Sequence, residues 1–143
     1  MALKVIIDTK GPLLTGKAAQ MVQPHLIRPM LEDTSQATAK RLWERFTPRP
    51  GGVFLSVAQA QKGKASTGRY RKWIHVWART PTMWKVDDNK CINGPWLEGT
   101  SSRNQSTRFK GYGTFRKTKN WIKKNELPKI QEKRLAEFLK LVG

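Results

Sequence analysis

The chain has 143 residues, 38% of them apolar and 27% charged, a length and balance that suit one folded domain with a single core. Its 28 lysines and arginines face 10 acids, a formal net charge of +18 that repels copies of the chain and attracts polyanions or acidic protein surfaces. The apolar runs are too short to span a bilayer, so no membrane contact is expected.

Residues 3–8 alternate and predict a short strand, followed by a turn in TKGPLLTG. From about Lys17 to Phe46 the spacing is helical. Leu31, Thr38, Leu42 and Phe46 fall near one face, with Ala39 and Trp43 beside it. Pro24 and Pro29 each lack a backbone donor, so this helix is expected to be kinked or split, and TPRPGG at 47–52 ends it. VFLSVAQAQ, 53–61, fits either a strand or a short helix, and KGKASTG is a polar turn. RYRKWIHVWART, 69–80, carries the clearest strand alternation: Tyr70, Ile74, Val76 and Ala78 on one face, Arg71, Trp73, His75 and Trp77 on the other. TMWKVDD, 82–88, is the expected pairing strand.

Residues 93–118, NGPWLEGTSSRNQSTRFKGYGTFRKT, form a basic loop that mixes Trp, Phe and Tyr with cations. Its Gly, Ser and Asn content suggests mobility in the free chain and ordering on contact. Phe115, Thr118 and Ile122 then recur at helical spacing. The last helix carries a stripe of Leu127, Ile130, Arg134, Leu135, Phe138 and Leu141 or Val142. Asn125 reads as its N-cap and Pro128 as tolerable only near a helix start, which predicts two helical pieces. The result is one α+β domain over 1–143, with a long N-terminal helix, a small antiparallel sheet and a C-terminal helix.

Catalytic signatures are weak. His25 and His75 are far apart and have no short-spaced metal-ligand partners. Asp87 and Asp88 read as turn chemistry. Cys91 has no adjacent base, cannot form an internal disulfide, and suits a cytosolic origin. The first residues lack the apolar core and cleavage site of a signal peptide. GKASTG and KGYG are wrongly flanked for phosphate loops. The expectation is no enzyme, no metal and no cofactor.

What remains is aromatic residues interleaved with cations. From Arg45 to Lys85 there are nine cations and no acid, and from Gly99 to Asn125 eight and none. Sequence-independent nucleic-acid binding would use Arg71, Lys72, Arg103, Arg108, Lys110, Arg116, Lys117 and Lys119 on phosphates, with Trp73, Trp77 or Tyr112 as stacking platforms. The same residue types are enriched at protein interfaces, so protein docking fits as well.

The ordered set of motifs resembles the tail-completion (minor tail component, neck) proteins of long-tailed bacteriophages. A long helix runs into a proline, and Thr67, Gly68, Arg69 and Tyr70 then form a turn leading to Ile74. Gly94, Pro95, Trp96, Leu97, Glu98, Gly99 and Thr100 follow, then Arg108–Phe109 and a final helix. The likeness covers roughly residues 15–140, with a contracted Glu-Gly-Thr and a longer stretch before the Thr-Gly turn as departures.

It implies a non-catalytic virion protein of the neck, made in the host bacterial cytoplasm, that assembles as a ring, six-fold favoured. Implied partners are head connector or stopper proteins, tail-terminator or tail-tube proteins, and non-specific contact with genome DNA. The candidate protein-interface residues are Arg71, Trp73, His75, Trp77, Trp96, Glu98, Arg103, Arg108, Phe109 and Tyr112. The candidate DNA-facing residues are Lys110, Arg116, Lys117 and Lys119.

Overall fold

The first long helix is continuous through its two prolines. In the computed structural model, which describes residues 2–6, 16–46 and 69–142, α1 (Gly16–Val22) passes through a π turn (Gln23–Ile27) into α2 (Arg28–Arg45). The expected kink therefore takes the form of a widened turn. Pro29 would drive its ring against the carbonyl four residues back. The N–H of Arg28 instead reaches five residues back to the Gln23 carbonyl, which opens the turn before the proline.

The same device recurs at the other end of the chain and overturns the expected break at Pro128. Helix α5 (Thr114–Trp121) runs through a second π turn (Ile122–Glu126) into α6 (Leu127–Val142), and the Leu127 N–H donates to the Ile122 carbonyl one residue before the proline. Asn125 is no N-cap; its amide donates to the Trp121 carbonyl at 2.9 Å.

Three antiparallel strands, β1 (Ala2–Ile6), β2 (His75–Thr80) and β3 (Met83–Asp87), form a sheet in the order β1-β3-β2. The α+β architecture is the expected one. The strand predicted over 69–80 begins only at His75, because Arg69–Trp73 is a 3-10 turn. Tyr70 and Ile74 are both buried, which alternation and a tight turn accommodate equally; Arg71, Lys72 and Trp73 between them are all exposed, which a strand does not allow. The turns expected in TKGPLLTG, TPRPGG and KGKASTG, the element at 53–61 and the pair Thr67–Gly68 lie outside the described residues, apart from the helical start at Gly16.

Leu3, Val86 and Val76 are cross-strand neighbours on the inner face of the sheet. Val86 is fully buried in a cluster with Ala39, Leu42 and Phe46 of the first long helix, Tyr70, Ile74, Cys91, Leu97 and Phe115. A second cluster joins Val22, Ile27 and Leu31 to Phe138, with Trp84 packed against it. The stripe expected on α2 is thus the buried one, except that Trp43 remains 42% exposed. Buried Thr34 and Thr38 satisfy their hydroxyls locally, on the Met30 and Thr34 carbonyls, each at 2.7 Å.

The stripe expected on α6 is only partly covered. Phe138 is buried, whereas Leu135, Leu139, Leu141 and Val142 are exposed. Arg134 reaches across to α2 and clamps Asp33 through two bonds of 2.7 and 2.8 Å. The Arg134 hydrogen bond holds the Asp33 carboxyl below its usual range. A depressed carboxyl contributes stability above its unfolded value that is lost as pH falls through the folded value. Asp33→Asn should cost about 1 kcal/mol at neutral pH and flatten the loss of stability below about pH 4, followed by thermal melts across acid pH. An unchanged acid limb would mean that the clamp contributes nothing. Among the described residues no helix is long and apolar enough to cross a membrane.

Candidate interaction surface

The segment expected to be a mobile basic loop is folded within the single chain. Pro95 opens a short helix, α3 (Gly94–Glu98), and a second, α4 (Ser102–Ser106), follows it. Gly94 lies so close to Asp88 that a Cβ there would overlap the Asp88 carboxylate, which also receives the Tyr70 hydroxyl at 2.6 Å. Burial and that hydrogen bond push the Tyr70 phenol far up. Gly99, at φ 93°, and Gly111, at φ 85°, cross backbone to backbone with no room for a Cβ on either. Beside the crossing the Tyr112 N–H donates to the Leu97 carbonyl at 2.6 Å.

Asn104, 4% exposed, ties the segment together. Its side-chain oxygen accepts from the Ser101 N–H at 3.0 Å and the Ser101 hydroxyl at 2.9 Å. Its amide nitrogen donates to the Trp96 and Phe109 carbonyls, both at 3.0 Å. Each hydrogen-bonding group of this one amide is used, which is how a Gly- and Ser-rich stretch holds a fixed shape.

This folding reassigns several candidate residues. Glu98, expected to face a partner, is 7% exposed. Its two oxygens accept the N–H groups of Phe115 and Arg116, each at 2.9 Å, at the first turn of α5. A carboxylate there meets orphan donors and the positive end of the helix dipole, so its role is structural. Trp96 and Tyr112 each pack against Phe109, tilted and edge-on, at 4.7 and 4.9 Å between centroids, and all three are half-buried, with Trp96 and Tyr112 against the core. Tyr112 is therefore engaged in packing and does not serve as an open stacking platform. Lys110 donates to the Asn104 and Gln105 carbonyls at the end of α4, at 2.9 and 3.4 Å. Arg103 lies 5.5 Å from the Trp96 ring centroid. Arg108, Arg116, Lys117 and Lys119 are exposed.

The other candidates gather elsewhere, on and beside the outer face of the sheet. Strand register sets two rows there: Lys4–Lys85–Trp77 and Ala2–Asp87–His75. Trp77 is fixed on the sheet by its indole N–H, which donates to Asp87 at 3.0 Å. Lys85 pairs with the other Asp87 oxygen at 2.8 Å. Burial pushes the Asp87 carboxyl up, but the bonds from Lys85, the Asn89 N–H and Trp77 outweigh it and hold the group below its ordinary value. The Arg79 guanidinium is 5.4 Å from the Trp77 ring centre and the His75 ring 5.7 Å. Next to them Trp43, Arg71, Lys72, Ile74 and His75 line an open depression of about 490 Å³.

The acids are placed elsewhere. Of the described carboxylates, Asp87, Asp88 and Glu98 are buried, and Glu32, Asp33, Glu44, Glu126, Glu132 and Glu137 all lie on the long helices and their π turns. Among the described residues the outer sheet face therefore exposes cations and aromatic rings without an exposed acid. Sequence alternation found Arg71, Trp73, His75 and Trp77 but missed Trp43, Lys4, Arg79 and Lys85. Trp43 could have been found, since it sits about 100° around the helix from Leu42. The two lysines are placed by strand register, which residue types alone do not give.

Cys91 is buried, and no group of three or more His, Cys, Asp or Glu side chains is placed to hold a metal ion among the described residues. No protein-family model, curated protein or solved structure matches this chain. Fold and surface together define an α+β protein with a braced core and a cationic, aromatic outer sheet face.

Proposed function

We propose that this chain is a structural protein of a phage neck, assembled as a ring where the tail joins the head, with its outer sheet face turned towards a negatively charged component. The order of motifs supports this reading, and the observation that carries it is the physical use of the Gly94–Thr100 segment. Its glycines and Glu98 tie the segment that follows β3 to the first turn of α5, so the motif serves the fold and the candidate contacts fall to the sheet face.

Net charge argues in the same direction. A chain of +18 meets a repulsive cost in any closed ring, and acidic neighbours or DNA offset it. Deleting the gene from the phage that encodes it should leave full heads and finished tails that fail to join, with joining restored by the gene supplied in trans. Normal infectious particles from the deletion would contradict the proposal.

A further inference from the structure

We infer that the outer sheet face binds a nucleic-acid strand with unpaired bases, using Trp73 and Trp77 as stacking platforms and Lys4, Arg71, Lys72 and Arg79 along the phosphates. Trp43, Trp73 and Trp77 are 42%, 44% and 38% exposed: Trp77 stands in the outer row of the sheet, Trp73 ends the 3-10 turn that leads into β2, and Trp43 lines the depression beside His75. Arg79 and Lys85 neighbour Trp77, Arg71 and Lys72 line the depression with Trp43, and the one carboxylate in the rows, Asp87, is buried and neutralised by Lys85.

An acidic protein surface would satisfy the cations but gives the flat indole faces no particular partner. Unpaired bases supply both a π-face for stacking and a phosphate repeat for the cations. A duplex offers phosphates but hides its bases, so it should engage the cations alone. Trp77 is also held in advance by its bond to Asp87, which lowers the ordering cost of stacking. Ring faces and phosphate contacts carry no base-edge information, so this mode of binding is indifferent to sequence. Such binding does not depend on the neck assignment, because it is a property of the purified chain in solution.

The test is the anisotropy of a labelled oligothymidine of about 20 nucleotides, titrated with protein at several salt concentrations. Affinity should fall with salt, with a log-log slope of about −0.7 per phosphate contacted. Arg71→Gln and Lys72→Gln should each reduce that slope by about 0.7. Trp73→Ala and Trp77→Ala should each weaken binding about tenfold with the slope retained, and Trp77→Phe should recover most of the loss.

Circular dichroism of each variant checks that it is folded, and quenching of wild-type tryptophan fluorescence by the oligonucleotide reports stacking directly. Binding that is unchanged in folded Trp→Ala variants, or absent quenching, overturns the proposal. So does a polyglutamate that displaces the oligonucleotide at equal charge concentration, which would assign the face to an acidic protein. Tighter binding of a duplex of the same length overturns it as well.

Discussion

Gly99→Ala should lower stability by about 4 kcal/mol, enough to remove much of the roughly 5–15 kcal/mol that holds a domain of this size. Two costs combine. The residue sits at φ 93°, where a Cβ is strained whatever the surrounding space. The Cβ would also overlap the Lys110 carbonyl oxygen and crowd Gly111, which are backbone atoms that no side-chain rotation can clear. Gly111→Ala meets the same crossing from the other segment of backbone and should behave alike. Gly113→Ala is the control: it too has positive φ, at 59°, but its Cβ would approach only the movable guanidinium of Arg116 at 3.0 Å. It should cost about 1–2 kcal/mol. Urea melts of the three variants make the comparison. Equal, small losses would mean that the two backbones do not cross at this distance.

The second large effect belongs to Glu98. Glu98→Ala removes both acceptors from the first turn of α5 and leaves the buried Phe115 N–H and the part-buried Arg116 N–H without them. At about 1–3 kcal/mol per orphaned donor, a total loss near 3 kcal/mol is expected. Glu98→Gln keeps one carbonyl oxygen and should lose about half as much, the remainder reflecting the lost charge at the helix end. An exposed, partner-facing acid would behave in the opposite way. Its replacement would leave the melting temperature unchanged and weaken only assembly. A silent Glu98→Ala variant would return this residue to the surface and undo the brace.

Both variants probe a segment that composition misreads. Gly, Ser and Asn between residues 93 and 113 suggest mobility because each weakens regular helix or strand. In the fold they hold fixed positions instead. Gly94 makes room for Asp88, Gly99 and Gly111 cross, and Asn104 bridges Ser101, Trp96 and Phe109. Ser101 and Asn104 form a capping box at the start of α4, but the other contacts join residues from separate turns of the segment, and no local pattern announces those. The same limit explains Tyr70. Its alternation with Ile74 fits a strand, but its hydroxyl bonds Asp88 eighteen residues away and the backbone between Tyr70 and Ile74 turns instead.

Periodicity was legible where burial is one-sided and local. The stripe of Leu31, Thr38, Leu42 and Phe46 is the buried face of the long helix, and β3 lies close to its expected position, whereas β2 keeps only the second half of the expected 69–80 strand. The prolines misled for a physical reason as well. A π turn lets a helix pass a proline without ending, at Pro29 and again at Pro128, so a residue that breaks α-helical bonding need not break the helix. On α6 the periodic apolar residues outnumber the places the core offers, and four of them stay exposed.

The proposed role and the assigned surface meet in one measurement: oxidative footprinting of the tryptophans in the free chain and in the assembled particle. Trp43, Trp73 and Trp77 should lose reactivity in the particle, while Trp96, already packed between Phe109 and the core, should be unchanged. Protection confined to Trp96 would contradict the surface, and absence of the chain from the purified particle would contradict the role.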